Sequence, residues 1–188
     1  MNSALTYALY FLVQKRLGQP APMPTNQVYW EGVDDCSDAG LIADLTVWAS
    51  TTPKAANQAF NAVNGDYIQW RYMWPRIAAY LGAEASSDVK FHKPRPEEGG
   101  LQQEFSFSKW AEGKRPVWDD LCEKANMPEA KATWDAGTWA FQDWVFQRAW
   151  CSTLSFNKAR AFGYTGFKDS YDSITGAFES FRESKQIP

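Results

Sequence analysis

The stretch from Ala56 to Glu84 constrains the fold more than any other part of the chain. Gln58 to Val63 is a brief, mostly apolar run carrying Ala59, Phe60 and Val63, with the length and content of a short buried strand. Asn64-Gly65 supplies a sharp turn, and Asp66 is placed to cap a helix by accepting from its first free backbone N–H groups. From about Tyr67 to Leu81, the residues Trp70, Met73 or Trp74, Ile77 and Leu81 recur at helical spacing and give one strongly apolar face. Gly82 then ends the helix.

The flanking chain reads mainly as helix. Asn2 to Leu17 is apolar, with Leu5, Leu9, Leu12 or Val13, and Leu17 on one face and Tyr7 and Tyr10 beside it. Asn2 or Ser3 caps its start and Gly18 stops it. It is too short and too rich in Tyr for a membrane span, and Lys15-Arg16 lie at the wrong end for a signal peptide. The prolines of Gln19 to Pro24 require an extended loop, and Val28 to Val33 is a loop or short strand. Ser37 or Asp38 caps a helix from Ala39 to Ser50 whose inner face is Leu41, Ile42, Leu45 and Trp48. Residues 83–100 are polar, with Pro94, Pro96 and Gly99-Gly100, and are expected to form a mobile loop. Further helical pieces begin at Phe105 and at Pro116, the second running over Val117 to Ala125. A long aromatic helix is expected from Trp134 to Trp150, a short strand at Leu154 to Phe156, a helical turn over Asn157 to Phe162, and a last helix over Tyr171 to Ser184. The expected class is helix-rich α+β with two to four short strands.

Length and charge exclude several functions. At 188 residues the chain is expected to be a single domain. A net charge of -3 gives no reason to expect nucleic acid or an anionic membrane as partner. Cys36, Cys122 and Cys151 form no CxxC pair, so neither a zinc site nor a disulfide framework is expected, and a reducing, cytoplasmic setting is. His92, the single histidine, sits among Lys90, Lys93 and Arg95 and reads as a solvated surface residue; no metal site is expected. Aromatic residues make up 16% of the chain, ten of them Trp. That supply serves either bulky core filling or a large apolar pocket for a flat or polycyclic ligand.

Several motifs then carry a resemblance. AFN-x-x-NGD-x-x-x-W-x-x-x-W begins at Ala59, DCSDAGLIAD spans Asp35 to Asp44 with Trp48-Ala49 after it, and RPVWDDL spans Arg115 to Leu121. SFNKARAFGYTGFKDSYDS spans Ser155 to Ser173, and the chain ends KQIP. In this order and spacing they resemble the carboxy-terminal part of the progesterone 5β-reductase and iridoid synthase family, extended short-chain dehydrogenases that reduce enones with NADPH. The resemblance implies a truncated carboxy-terminal half with a few short strands and no complete Rossmann domain. The chain has no G-x-x-G-x-x-G turn, where backbone amides would approach a pyrophosphate, so no cofactor is expected. The family's catalytic tyrosine and lysine lie upstream of the segment matching Met1, and their role is not carried onto Tyr7 or Tyr10.

What the resemblance leaves is a substrate half. It implies a bowl lined by the first helix, the loop around Trp30 and the aromatic helix ending at Trp150, with Asn2 matching a pocket asparagine. The expected substrate-binding residues are Asn2, Trp30, Trp139, Phe146 and Trp150; Asn2, Tyr7 and Tyr10 are the candidate donors to a substrate carbonyl. The expected function is cofactor-free cyclisation or isomerisation of a hydrophobic polyene or enone in specialised metabolism, with a [4+2] cycloaddition the reaction best suited to a pocket that only orients its substrate. A non-catalytic binding protein, half of a split NADPH-dependent reductase and a truncated product without stable function are the competing readings. The sheet edge left uncovered predicts either a homodimer, through the Leu5/Leu9/Leu12 helix, or a rearranged helical core.

Overall fold

A computed structural model of the protein describes residues 2–188. Helix α1 (Ser3–Leu17) is its axis. The Asn2 side chain accepts from the Leu5 amide at 3.2 Å, and Gly18 closes the other end in the left-handed conformation. Every residue from Leu5 to Gln14 is buried, because α6 (Arg115–Lys124), α7 (Trp139–Gln147) and α9 (Ser170–Glu183) all pack on this helix. A helix apolar nearly all round requires such a shell. The face expected to serve a dimer is therefore already consumed: Leu5, Leu9 and Leu12 are 6%, 0% and 6% exposed within one chain.

Helix α4 (Trp70–Tyr80) carries the apolar face that its spacing predicts, with Trp70, Met73, Trp74 and Ile77 buried. Trp74 is the hub. Its ring meets Tyr7, Tyr10, Phe11 and Phe146, and its indole N–H donates to the Ala21 carbonyl at 2.8 Å. Gly82, at φ 75°, lets the chain turn back so that the Gly82 and Ala83 amides donate to the Ala79 and Ala78 carbonyls. Asp66 does not cap α4, which begins at Trp70 without a side-chain cap. Its carboxylate accepts instead from the amide and hydroxyl of Ser170, at 2.8 and 2.6 Å, and braces the start of α9.

The α+β expectation is overturned. The chain is 53% helical with almost no strand, and no sheet forms among the described residues. Only isolated bridges occur there, Asp34 with Ile68 and Ser152, and Leu101 with Arg148. Residues 58–63 are extended, but the amides of Ala59 to Val63 have no partner among the described residues. Extended backbone becomes a strand only when a neighbour completes its ladder; here Ser37 and Ser155 contribute only side-chain contacts, from the Ser37 hydroxyl to the Ala62 carbonyl and from the Asn61 side chain to the Ser155 carbonyl. Leu154 to Phe156 is likewise irregular, and Val28 to Val33 contains a short helix, α2 (Gln27–Glu31), capped by Asn26.

The aromatic helix is also divided. Pro128–Ala136 is a 3-10 segment, and α7 starts only at Trp139. Gly137 lies between them, where a Cβ would come within 2.6 Å of the Trp139 ring. That close approach turns the chain, and it leaves Trp134 and Trp150 outside α7. Ser106 and Asp143 together hold the start of α5 (Phe107–Ala111): the Asp143 carboxylate accepts from the Ser106 hydroxyl and the Ser108 amide, each at 2.9 Å, and from the Phe107 amide. Helix α3 (Ala39–Thr51) is capped by Asp38, yet only Leu45 is buried. Ile42, assigned to its inner face, is 41% exposed and Val47 is 61% exposed. Leu45 joins a second small core with Val63, Phe156, Ala159 of α8 (Asn157–Ala161) and Tyr164.

Candidate functional site

Two hollows matter. The first is a groove of 670 Å³ between α3 and the extended segment, lined by residues such as Ile42, Leu45, Ala49, Asn57 and Phe60. It presents no acid, base, thiol or phenol. The second is a cleft of 890 Å³ between the start of α1, α7, α9 and the Asp34–Asp38 loop. Its apolar wall comes from Phe141 and Val145, one turn apart on α7, from Ile174, Ala177 and Phe181 of α9, and from Trp70. Its polar wall carries Asp34, Asp35, Asp38 and Asp172 against Arg148 and Lys168, four carboxylates to two cations. The cleft is the site with both shape and chemistry.

A buried polar group closes one end of it. Asp34 is 7% exposed; its carboxylate accepts a short hydrogen bond from the Tyr29 hydroxyl and one from the Trp70 indole N–H at 3.1 Å. Arg148 donates from Nη2 to the Tyr29 oxygen at 2.8 Å and lies 3.6 Å from the Asp34 carboxylate. Its guanidinium also stacks over the Tyr29 ring. Arg148 is positioned because the Asn26 side-chain amide donates to the Arg148, Gln147 and Gln102 carbonyls, pinning the chain where it leaves α7. Burial, reinforced by Asp34, keeps the Tyr29 phenol protonated far above its ordinary range.

Tyr7 stands on the same cleft, 3% exposed, stacked on Phe146 and edge-on to Trp70 and Trp74. Burial first, and the neighbouring Cys36 second, hold its phenol in the neutral form, with Ser3 as its polar neighbour. In that form it can donate a hydrogen bond but does not act as a base. Cys36 also faces the cleft, but burial and then Asp34 push its thiol up to about 12, so it is not a nucleophile at neutral pH. Asp35 is pushed up by burial against the opposing hydrogen bond from the Leu154 amide.

Of the residues singled out in the sequence, the structure brings Asn2 and Tyr7 to this cleft. Tyr10 faces the other side of α1, where its hydroxyl donates to the Pro22 carbonyl at 2.7 Å and its ring meets Phe107 and Trp110. Trp30 and Phe146 are buried in the core, and Trp139 packs among Phe107, Trp110 and Trp134. None of these, nor Trp150, lines the cleft. Sequence reasoning missed Asp34 and Tyr29, five residues apart, and Arg148, which lies 119 residues from Tyr29 and shares no motif with them. It also missed Ile174, Ala177 and Phe181, whose helical spacing on α9 was the available signal.

The residues present do not fit a dinucleotide. Four carboxylates on the cleft repel its phosphates, and no glycine-rich turn meets a helix start. Among the described residues no group of His, Cys, Asp and Glu gathers as a metal would need, and no helix is long and apolar enough to cross a membrane.

The whole chain aligns with known proteins. It is 55% identical over 188 residues to the short chain dehydrogenase gsfE of Penicillium aethiopicum, covering 50% of that protein. It is 32% identical over 189 residues to an (S)-8-oxocitronellyl enol synthase of Nepeta cataria, and 30% identical over 188 residues to a 3-oxo-Delta(4,5)-steroid 5-beta-reductase of Arabidopsis thaliana, covering 45% of each. The chain is homologous to short-chain dehydrogenases of the progesterone 5β-reductase and iridoid synthase type. It spans about half the length of the curated relatives it matches, a share consistent with their carboxy-terminal part. No family model matches the chain. Its homologues are short-chain-dehydrogenase-family proteins.

Proposed function

We propose that the cleft binds a neutral, largely apolar polyene or enone of specialised metabolism and promotes its cyclisation or isomerisation without a bound cofactor. One observation carries this reading: the 890 Å³ cleft joins an apolar wall to the neutral Tyr7 phenol, while its net acidic lining disfavours anions. A [4+2] closure suits such a site. It converts two π bonds into two σ bonds within the substrate and moves no proton, so the protein supplies only shape and polarisation. Because the closure is already intramolecular, the gain is confined to freezing the substrate's internal rotations in the reactive conformer, less than the advantage available to a bimolecular step. Tyr7, neutral by burial, donates to a carbonyl that activates the dienophile. Asn2, at the cleft mouth, is occupied in capping α1.

The test is a comparison of product formation and stereochemistry from linear polyene enones with and without the protein. A rate increase of about tenfold or more, lost largely in Tyr7→Phe, is the expected outcome. Unchanged rate and product ratio, with the substrate nonetheless bound, leaves a non-catalytic binding protein.

The unpaired amides from Ala59 to Val63, beside the exposed Ile42, favour an association through that face. We propose a second copy as its occupant, since residues 57–63 carry no charge and antiparallel self-pairing would oppose no like charges. Sedimentation at micromolar concentration should then give a dimer that Phe60→Lys dissociates. A monomer contradicts it. Dimer formation only with a separate nucleotide-binding chain, together with NADPH binding, would instead favour half of a split enone reductase, a reading supported by the reductase name of the Arabidopsis thaliana relative.

A further inference from the structure

We infer that Arg148 is the anchor of the cleft, donating from Nη1 to a neutral carbonyl oxygen of the ligand; this rests on the small-molecule reading above. Three of the atoms around it are already committed. Nε donates to the Val145 carbonyl at 3.0 Å, and Nη2 donates to the Tyr29 hydroxyl at 2.8 Å and pairs with Asp34. Among the described residues Nη1 has no hydrogen-bond partner. It is not sealed off either, unlike Arg71 Nε, which is buried and unsatisfied. The side chain as a whole is 12% exposed and Arg148 lines the cleft, which makes the free N–H groups of Nη1 the donors we assign to the ligand.

The geometry also sets the ligand's class. A guanidinium fixed through Nε and Nη2 and lying over the Tyr29 ring leaves its remaining donor preorganised. Asp34 beside it neutralises the pair, and Asp35 adds a further negative charge on the same wall. An anionic ligand would meet those carboxylates, whereas a ketone, enone or lactone oxygen needs one donor and brings no charge. The apolar wall of Phe141 and Val145 adjoins the anchor along α7 and takes the hydrocarbon body.

The experiment pairs a change in the protein with a change in the ligand. Tryptophan fluorescence titrations would use a bicyclic enone and the hydrocarbon of the same skeleton, each against the wild type, Arg148→Met and Arg148→Lys. The wild type is expected to bind the enone about tenfold more tightly than the hydrocarbon. Either substitution should cut that preference to less than about threefold while leaving the hydrocarbon's affinity within about twofold. Arg148→Lys keeps a cation against Asp34 and serves if the methionine variant does not fold. A preference that survives substitution overturns the anchor while leaving the apolar pocket standing, as does a wild type that binds both probes equally. A wild type that binds neither probe overturns the small-molecule reading and the anchor with it.

Discussion

Asp143→Asn should destabilise the protein by about 3 kcal/mol at neutral pH, measured as a fall in the denaturant midpoint. The Asp143 side chain is almost fully buried and accepts from Gln103 Nε2, the Ser106 hydroxyl, and the Phe107 and Ser108 amides. Asparagine offers one acceptor oxygen where the carboxylate offers two, and it turns an N–H₂ toward groups that are themselves donors. Burial opposes ionisation of Asp143, but the bonds from Ser108, Phe107 and Ser106 outweigh it and hold the carboxyl below its ordinary value. The sign follows from linkage. A depressed folded-state value gives stability that is present above the unfolded value and lost as pH falls through the folded one. The gap between wild type and variant should therefore be full at pH 7 and shrink as pH falls below the ordinary carboxylate range. A constant gap across that window would mean that Asp143 acts by packing alone. The effect reaches the site, because α7 presents Phe141 and Val145 to the cleft from the same helix that Asp143 ties to α5.

Ala177→Trp has the second large effect, on binding and not on folding. Ala177 is half-buried on the cleft face of α9, with Ile174 and Phe181 to either side of it. An indole there projects into open space and fills part of the cleft. Affinity for an apolar ligand should fall at least about tenfold, while the thermal midpoint stays close to that of the wild type. A matching substitution in the other groove, Ala49→Trp, should leave that affinity unchanged, since the groove has none of the cleft's donors.

The helix ends were legible because their signals are local. Asn2 and Gly18 bound α1, Asp38 starts α3, and Pro116 lies in the first turn of α6, each within a few residues of the group it serves. What depends on distant partners was not. The run from Gln58 to Val63 has the composition of a strand, but composition cannot supply the neighbour that a ladder needs. Asp66 reads as the cap of the helix that follows it, yet its donor is Ser170. The apolar face of α4 was legible, since helical periodicity reports burial, and Trp70, Met73, Trp74 and Ile77 are buried; what Trp74 packs against was not. The apolar face of α1 did not separate Tyr7, which opens onto the cleft, from Tyr10, which does not; that depends on α9 and α7 packing on one side of α1 and α5 on the other. The pairing of Asp34 with Arg148 joins two loops through an isolated fold-level contact and leaves no spacing to read.

The central claim is that this cleft, and no other surface, holds the protein's small molecule. Its most direct test is an equilibrium titration of a bicyclic enone, followed by tryptophan fluorescence, on the wild type, Ala177→Trp and Ala49→Trp. Saturable binding to the wild type and Ala49→Trp, weakened at least about tenfold in Ala177→Trp, is the expected result. Equal affinity in all three proteins, or loss only in Ala49→Trp, would contradict it.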